Sequence, residues 1–194
     1  DVISDLNGVA LTHPPGSAYA YSNGGYSVLA AIIERVADQS YGDFLLDRLF
    51  RPLGMSNTAH DEPGPVEMRR VPGYDPWGTT SWTRAQPPAE AYTRGSGSLW
   101  SSAGDLLIWN RALHGGRVLA DTSYRKLMRD YGHEYGYGVS VFRRFGRDVV
   151  GHDGRVSGFS SDVARYLDDR LTVVILSSVQ SVARDRIRRS VAAV

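Results

Sequence analysis

Two short groups in this 194-residue chain carry side chains able to move protons or hold a polar substrate: Tyr21-Ser22-Asn23 and Gly151-His152-Asp153-Gly154. A phenol of pKa near ~10 serves as a base only where neighbouring positive charge lowers it. An imidazole titrates close to neutrality and can be present neutral at physiological pH. Gly154 has no Cβ and lets its backbone approach another group closely. Read alone, each group is also an ordinary turn sequence. The rest of the inventory is narrow. Lys126 is the only lysine among 22 basic residues. Arginine stays charged, so Lys126 is the one candidate for a neutral amine base. The chain has no cysteine, which excludes thiolate catalysis and disulfides and leaves the compartment open. Ser123-Tyr124-Arg125-Lys126 places a serine and this lysine at i and i+3, on one face of a helix.

Composition narrows the function classes. With 42% hydrophobic and 22% charged residues the chain is ordinary for a globular protein. A chain of this length buries roughly 70% of its unfolded surface and needs no metal or disulfide to hold a core. The net charge of +1 gives no reason to expect nucleic acid or an anionic membrane as partner. No apolar run approaches the ~20 residues of a membrane span. His60-Asp61-Glu62 and His133-Glu134 lack metal-ligand spacing and read as solvated loop residues. No cofactor is implied. G-x-S-x-G does not occur, so a nucleophile elbow is unsupported.

The elements that must position these residues follow from periodicity. Val28, Leu29, Ile32, Ile33 and Val36 recur at helical spacing between Asn23 and Asp38, with Asn23 as the cap. A second helix spans about Tyr41 to Phe50 with Phe44, Leu45, Leu49 and Phe50 inward, and Arg51-Pro52-Leu53-Gly54 should stop it. Residues 56–98 are rich in proline and read as a long irregular excursion with short strands around Val71 to Tyr74. Trp77, Trp82 and Tyr92 could line a cleft there or simply pack the excursion down. Gly95-Ser96-Gly97-Ser98 lacks the P-loop lysine and reads as a place of close backbone approach. Ser102-Ala103-Gly104-Asp105 resembles a capping box for a helix to about Leu113, and another helix starts at Asp121 and runs to about Asp130. Then come four strands, Tyr137 to Phe142, Val149 to His152, Phe159 to Tyr166 and Leu171 to Leu176, and a helix from Ala183 to Val194. Helices, an antiparallel meander and a covering helix predict an α+β architecture.

The ordered set of motifs resembles a known family. Pro15-Gly16, Tyr21-Ser22-Asn23-Gly24-Gly25-Tyr26, Pro52-Leu53-Gly54-Met55-Ser56, Ser101-Ser102-Ala103-Gly104-Asp105-Leu106, Tyr135-Gly136-Tyr137-Gly138, Gly151-His152-Asp153-Gly154 and Gly158-Phe159-Ser160-Ser161 follow one another as in class C β-lactamase-like and penicillin-binding-protein-like serine hydrolases. The resemblance covers about residues 11–180. It implies a β-lactamase/transpeptidase-like α/β fold, an antiparallel sheet flanked by helices with a helical lobe alongside. Residues 1–130 would be mainly the lobe and the long loop, and 131–194 the sheet strands and C-terminal helix. Tyr21-Ser22-Asn23 corresponds to the family's Y-x-N, and His152-Asp153-Gly154 to an H-x-G variant of K-T-G. By that resemblance Tyr21 shares the base role with the lysine of S-x-x-K. Asn23 binds substrate or holds that lysine, and His152 stands where the family has a substrate-facing lysine. Gly154 admits the substrate, and the Arg155 N–H is one oxyanion donor.

The nucleophile motif S-x-x-K belongs before Y-x-N. Only 20 residues precede Tyr21, and none is a lysine. The literal match at Ser123 to Lys126 falls in the wrong order. The expectation is therefore the C-terminal portion of one β-lactamase-like domain, an acyl-enzyme hydrolase of small-molecule esters, amides or β-lactams whose nucleophile lies outside this chain. Its sheet should be completed by an N-terminal fragment or another copy. The alternative is a binding module that keeps the cleft without the nucleophile.

Overall fold

Ser22, rather than Asn23, opens the helix that carries the first motif. Its backbone is extended (φ −145°, ψ 108°) and its hydroxyl accepts the Gly25 N–H, so Asn23 becomes the first helical residue. The structure, a computed structural model, describes residues 2–61, 70–77, 81–86 and 93–193. The side chain of Trp77 and the whole of Tyr92 fall outside the described residues, so their suggested place at a cleft is untouched. Helix α1 is Val2–Leu6 and α2 is Asn23–Ala37.

The buried face of α2 is not the expected apolar stripe. Ser27 and Ala30 are buried, whereas Leu29, Ile32 and Val36 are 50%, 51% and 81% exposed. Small residues face inward because a loop backbone lies against the helix there. A Cβ on Gly95 would sit 2.4 Å from the Tyr26 carbonyl oxygen, and Gly95 has φ +76°. The close approach expected at Gly95 is thus made against α2. Ser27 Oγ donates to the Arg94 carbonyl (2.9 Å), and Arg94 pairs with Glu34 at 3.2 Å.

Helix α3 (Tyr41–Leu45) does not stop at Pro52. It widens into a π-helical turn over Leu46–Phe50 and runs on as α4 (Arg51–Leu53) to Gly54, whose φ of +75° ends it. Arg51 donates its N–H to the Leu46 carbonyl, an i→i−5 bond. The widened turn moves the carbonyl that the proline ring would otherwise strike, so Arg51 keeps helical angles. Leu45, Phe50 and Met55 form a small core with Ile108 and Trp109 beside them.

Strand β1 (Ala59–His60) pairs with β4 (Leu99–Trp100), and between them β2 (Tyr74–Trp77) forms a hairpin with β3 (Ser81–Arg84). The strand expected around Val71 to Tyr74 therefore begins where it was thought to end. The Asp75 carboxylate accepts the Ser157 hydroxyl at 2.6 Å and the Gly158 N–H at 2.8 Å, which anchors the hairpin to the main sheet. Trp82 is exposed on β3 opposite Pro76 and is not among the residues lining the cavity beside β6. His60 is buried, edge-on to Tyr41 at 5.2 Å, and not solvated as the sequence suggested.

Helix α5 (Ala103–His114) starts at Ser102, whose hydroxyl accepts the Asp105 N–H at 3.1 Å. Asp105 does not complete a capping box. Its buried carboxylate accepts the Asn57 N–H (2.7 Å) and the Thr58 hydroxyl (2.8 Å) instead, tying the helix to the segment before β1. Helix α6 is Asp121–Leu127, shorter than expected.

The main sheet is an antiparallel meander, β5 (Ser140–Arg144), β6 (Arg147–Val156), β7 (Phe159–Tyr166) and β8 (Leu171–Ser177), in that spatial order. Tyr137-Gly138 is a turn before β5, with Gly138 at φ +75°. β6 runs past His152, its expected end, so Asp153 and Gly154 also lie inside this ten-residue strand. Helix α7 (Arg184–Ala192) covers one face, where Val149, Ala164, Tyr166, Val173 and Ala192 are packed together. Val163, Val174 and Ile175 are half-buried and Leu176 is exposed. Among the described residues β8 pairs with no strand but β7. No helix among them is long and apolar enough to cross a membrane.

One packing contact makes stability depend on pH. His114, at the end of α5, is hydrogen-bonded to the Tyr124 hydroxyl at 2.7 Å. Burial, reinforced by Arg165, lowers its pKa to about 4. The unfolded chain, with an ordinary imidazole, therefore binds a proton more readily between about pH 4 and 6.5. This contribution is fully present above pH 6.5 and is lost as the pH falls towards 4. After allowance for partial solvent exposure it amounts to about 1–2 kcal/mol. In urea unfolding of the chain at pH 7.5 and 4.5, His114→Gln should shrink the stability difference between the two pH values. An unchanged difference would contradict this account.

Candidate active site

All five sequence-predicted site residues, Tyr21, Asn23, His152, Gly154 and Arg155, line one cavity of about 720 Å³. Its far wall is the 93–101 loop and β4. Its floor is β6 with Phe159 and Ser161 of β7. Tyr21 is placed by the extended Ser22, just outside the first turn of α2. Its ring stacks over the His152 ring at 6.2 Å and 28°. His152 is placed by the alternation of β6, opposite Val163 of β7.

A residue that pattern reading did not single out for a role completes this cluster. The Tyr135 hydroxyl lies 2.7 Å from His152 Nε2, and its ring is edge-on to Tyr21 at 6.0 Å. The other imidazole nitrogen, Nδ1, is 2.5 Å from the Asp153 carbonyl. A carbonyl only accepts, so Nδ1 must carry the hydrogen. In the neutral imidazole Nε2 is then the acceptor, and Tyr135 donates to it. Burial, with Tyr21, Tyr26, Tyr19 and Asp153 nearby, pushes the Tyr135 phenol well above its ordinary value, which keeps that hydroxyl a donor. Burial, then Tyr21 and Tyr19, raise Tyr26 as well. Tyr135 lies in a named motif, but its partner is 17 residues away, and only strand pairing brings the two together.

The edge of β6 decides where Arg155 points. Val141 donates its N–H to the Glu134 carbonyl at 2.8 Å. Val141 and the facing Val150 are thus a pair without mutual hydrogen bonds, and the neighbouring pair Ser140 and Gly151 makes them. Counting by twos along β6, the amides of Asp153 and Arg155 point to the same side as that of Gly151. β5 ends at Ser140, opposite Gly151. The Arg155 N–H therefore projects from an edge with no strand beside it among the described residues, at the rim of the cavity. Gly154 serves the neighbouring strand as much as any ligand, since a Cβ there would sit 2.6 Å from Ser161 Oγ.

Ser123 and Lys126 lie on exposed positions of α6 and line no part of this cavity. His133 stacks on Tyr19 at 4.8 Å.

The Beta-lactamase family model matches residues 1–194. The chain belongs to the Beta-lactamase family. Within this family it is similar to a D-aminopeptidase of Gluconobacter oxydans (strain 621H), 26% identical over 184 residues, which cover 90% of this chain and 34% of that protein. The chain spans about a third of the length of the aminopeptidases it matches. The penicillin-binding protein of Bacillus halodurans superposes with a TM-score of 0.84 at 22% identity, over 100% of this chain and 63% of that one. The D-amino acid amidase of Ochrobactrum anthropi SV3 superposes with a TM-score of 0.71 at 25% identity, over 86% of this chain and 51% of that one. The β-lactamase/transpeptidase-like fold expected from the motif order is the fold of this Beta-lactamase family member.

Proposed function

We propose that the complete protein is a serine hydrolase that works through an acyl-enzyme on amides or esters of D-amino acids or short peptides. The observation that carries this reading is the single cavity holding Tyr21, Asn23, His152, Gly154 and Arg155, with the Arg155 N–H at an open strand edge. The names of the relatives, D-aminopeptidase and D-amino acid amidase, support the substrate class.

The roles follow from the chemistry. An acyl transfer needs a nucleophile, a base and donors for the oxyanion. Tyr21 is the base, working with a lysine that takes a share of its proton. Asn23 binds the substrate or that lysine. The Arg155 N–H receives the developing oxyanion. The serine and lysine come from a segment of the same protein outside these 194 residues, or from a neighbouring copy. Two observations support a covering segment. The outer edge of β8 is unpaired among the described residues. Leu29, Ile32 and Val36 form an exposed stripe on α2.

His152 tunes the substrate. With Nδ1 bound to a carbonyl and Nε2 capped by Tyr135, its neutral form presents no cationic donor to a substrate carboxylate. That favours neutral amides and esters over carboxylate-bearing β-lactams. In the complete protein Tyr135→Phe removes one hydrogen bond worth about 1 kcal/mol and should lower kcat/KM about 5-fold. His152→Ala should affect different substrates unequally. Steady-state kinetics on one ester, one D-amino acid amide and one β-lactam checks both variants, and equal effects on all three would remove His152 from the substrate's side.

The reading as a whole is tested by exposing the complete protein to a fluorophosphonate and to paired D- and L-amino acid anilides. Serine adduct formation and faster release from the D enantiomer are expected. Absence of both would leave the binding-module reading as the better one.

A further inference from the structure

The back of the sheet holds a charged group aimed at the same peptide that the cavity uses on its open edge. Arg184 begins α7, on the face of the sheet opposite His152, and is 8% exposed. Its Nη1 donates to the Gly154 carbonyl and to the Ser161 carbonyl, the latter at 2.6 Å. Its Nη2 pairs with the largely exposed Asp153 carboxylate at 2.9 Å. Gly154 and Ser161 face each other in the β6–β7 ladder. The guanidinium therefore straddles the two strands at one rung.

The Gly154 carbonyl and the Arg155 N–H belong to one planar trans peptide, so they point in opposite directions and share one π system. The carbonyl turns inward, to the ladder and Arg184. The N–H turns outward, to the open edge. A cation bonded to the carbonyl draws electron density through the peptide and makes its N–H a stronger donor, as in any hydrogen-bonded chain. It also pins the peptide plane, so that no reorientation is needed when charge develops on the substrate oxygen. The Asp153 carboxylate opposes the charge only in part, because it reaches the other nitrogen and is largely solvated.

We propose that Arg184 is a positioning residue for the oxyanion donor, acting through the Gly154–Arg155 peptide from behind the sheet. This rests on the reading of Arg155 N–H as that donor. The role is absent from any motif, because Arg184 lies 30 residues from Gly154 in a helix rich in arginine.

The test uses the complete protein and compares Arg184→Met with Arg188→Met. Arg188 sits one turn further along α7 and pairs with Asp162 at 3.4 Å and Asp185 at 2.8 Å, so its loss disturbs the same helix without touching the peptide. Arg184→Met should lower kcat about 10- to 30-fold, less than outright removal of an oxyanion donor, with KM changed less than about 2-fold. Affinity for a phosphonate transition-state analogue should fall by the same factor as kcat/KM. Arg188→Met should lower the melting temperature and leave kcat within about 2-fold of wild type. Independently of turnover, the Arg155 amide proton should move upfield in Arg184→Met. Equal losses in the two variants, or an unmoved Arg155 resonance, would overturn the proposal. If Arg184→Met does not fold, Arg184→Lys keeps the charge and one donor. It should fold, retain most of kcat and shift the Arg155 resonance only slightly, and a Lys variant as slow as a donor-deleted enzyme would overturn the proposal. A wild-type protein that forms no acyl-enzyme would sink the proposed function, while the amide shift would still decide the Arg184 contact.

Discussion

Tyr21→Phe in the complete protein is expected to lower turnover at least ~10²-fold, the range for loss of a general acid–base group. The substitution removes only the hydroxyl. The ring that stacks on His152 at 6.2 Å and meets Tyr135 at 6.0 Å remains, so the cavity wall should keep its shape. Substrate binding should change little, and the loss should fall on kcat. Burst kinetics with an activated ester would locate it. With Tyr21 as the base for acylation, the burst itself slows. Full activity toward every ester and amide tested, alongside full activity of His152→Ala, would show that the site has been assigned to the wrong residues.

The second large effect is a complete one. Purified by itself, the 194-residue chain should remain unmodified after incubation with a fluorophosphonate or a labelled penicillin, as read by intact-mass spectrometry. No serine–lysine pair precedes Tyr21. The pair that does exist, Ser123 and Lys126, is on the exposed face of a short helix. A serine there meets water and a flexible, exposed side chain, and no cavity residue orients it. A nucleophile with no base held against it and no donors placed for its oxyanion is not activated. Stoichiometric labelling at Ser123 would reverse this conclusion and make the helix Asp121–Leu127 the site to study. The same preparation should resist labelling even when Tyr21, His152 and Arg155 are in place, because these residues assist a nucleophile and do not replace one.

What the sequence alone determined here is local. β-rich runs between turn residues placed β7 at Phe159 to Tyr166 without error and β8 within a residue. Helical spacing located α2 and α3, the cap at Ser102 located α5, and the order of the short motifs pointed to the family and to five residues that share one cavity. Boundaries failed where a longer-range partner intervened. Asp105 left its expected cap for Asn57 and Thr58. Pro52 was tolerated because the turn before it widened, a choice made by the packing of Leu45 and Phe50 around Met55. The α2 face with the strongest apolar pattern is the exposed one, because Gly95 brings a loop against Ser27 and Ala30 instead.

The tertiary structure alone decided the electronic state of the site. His152 could be read as titratable from its type, but its tautomer depends on Tyr135, which a turn and a strand register deliver to Nε2 at 2.7 Å. The direction of the Arg155 N–H depends on where β5 ends, and its strength on an arginine that reaches Gly154 from the opposite face. Composition and periodicity report where an element lies and which of its faces is apolar, because the hydrophobic effect acts on each residue's own surface. Hydrogen bonds between residues far apart in the chain depend on register and on angles held to a few tenths of an ångström, and those exist only once the sheet is assembled.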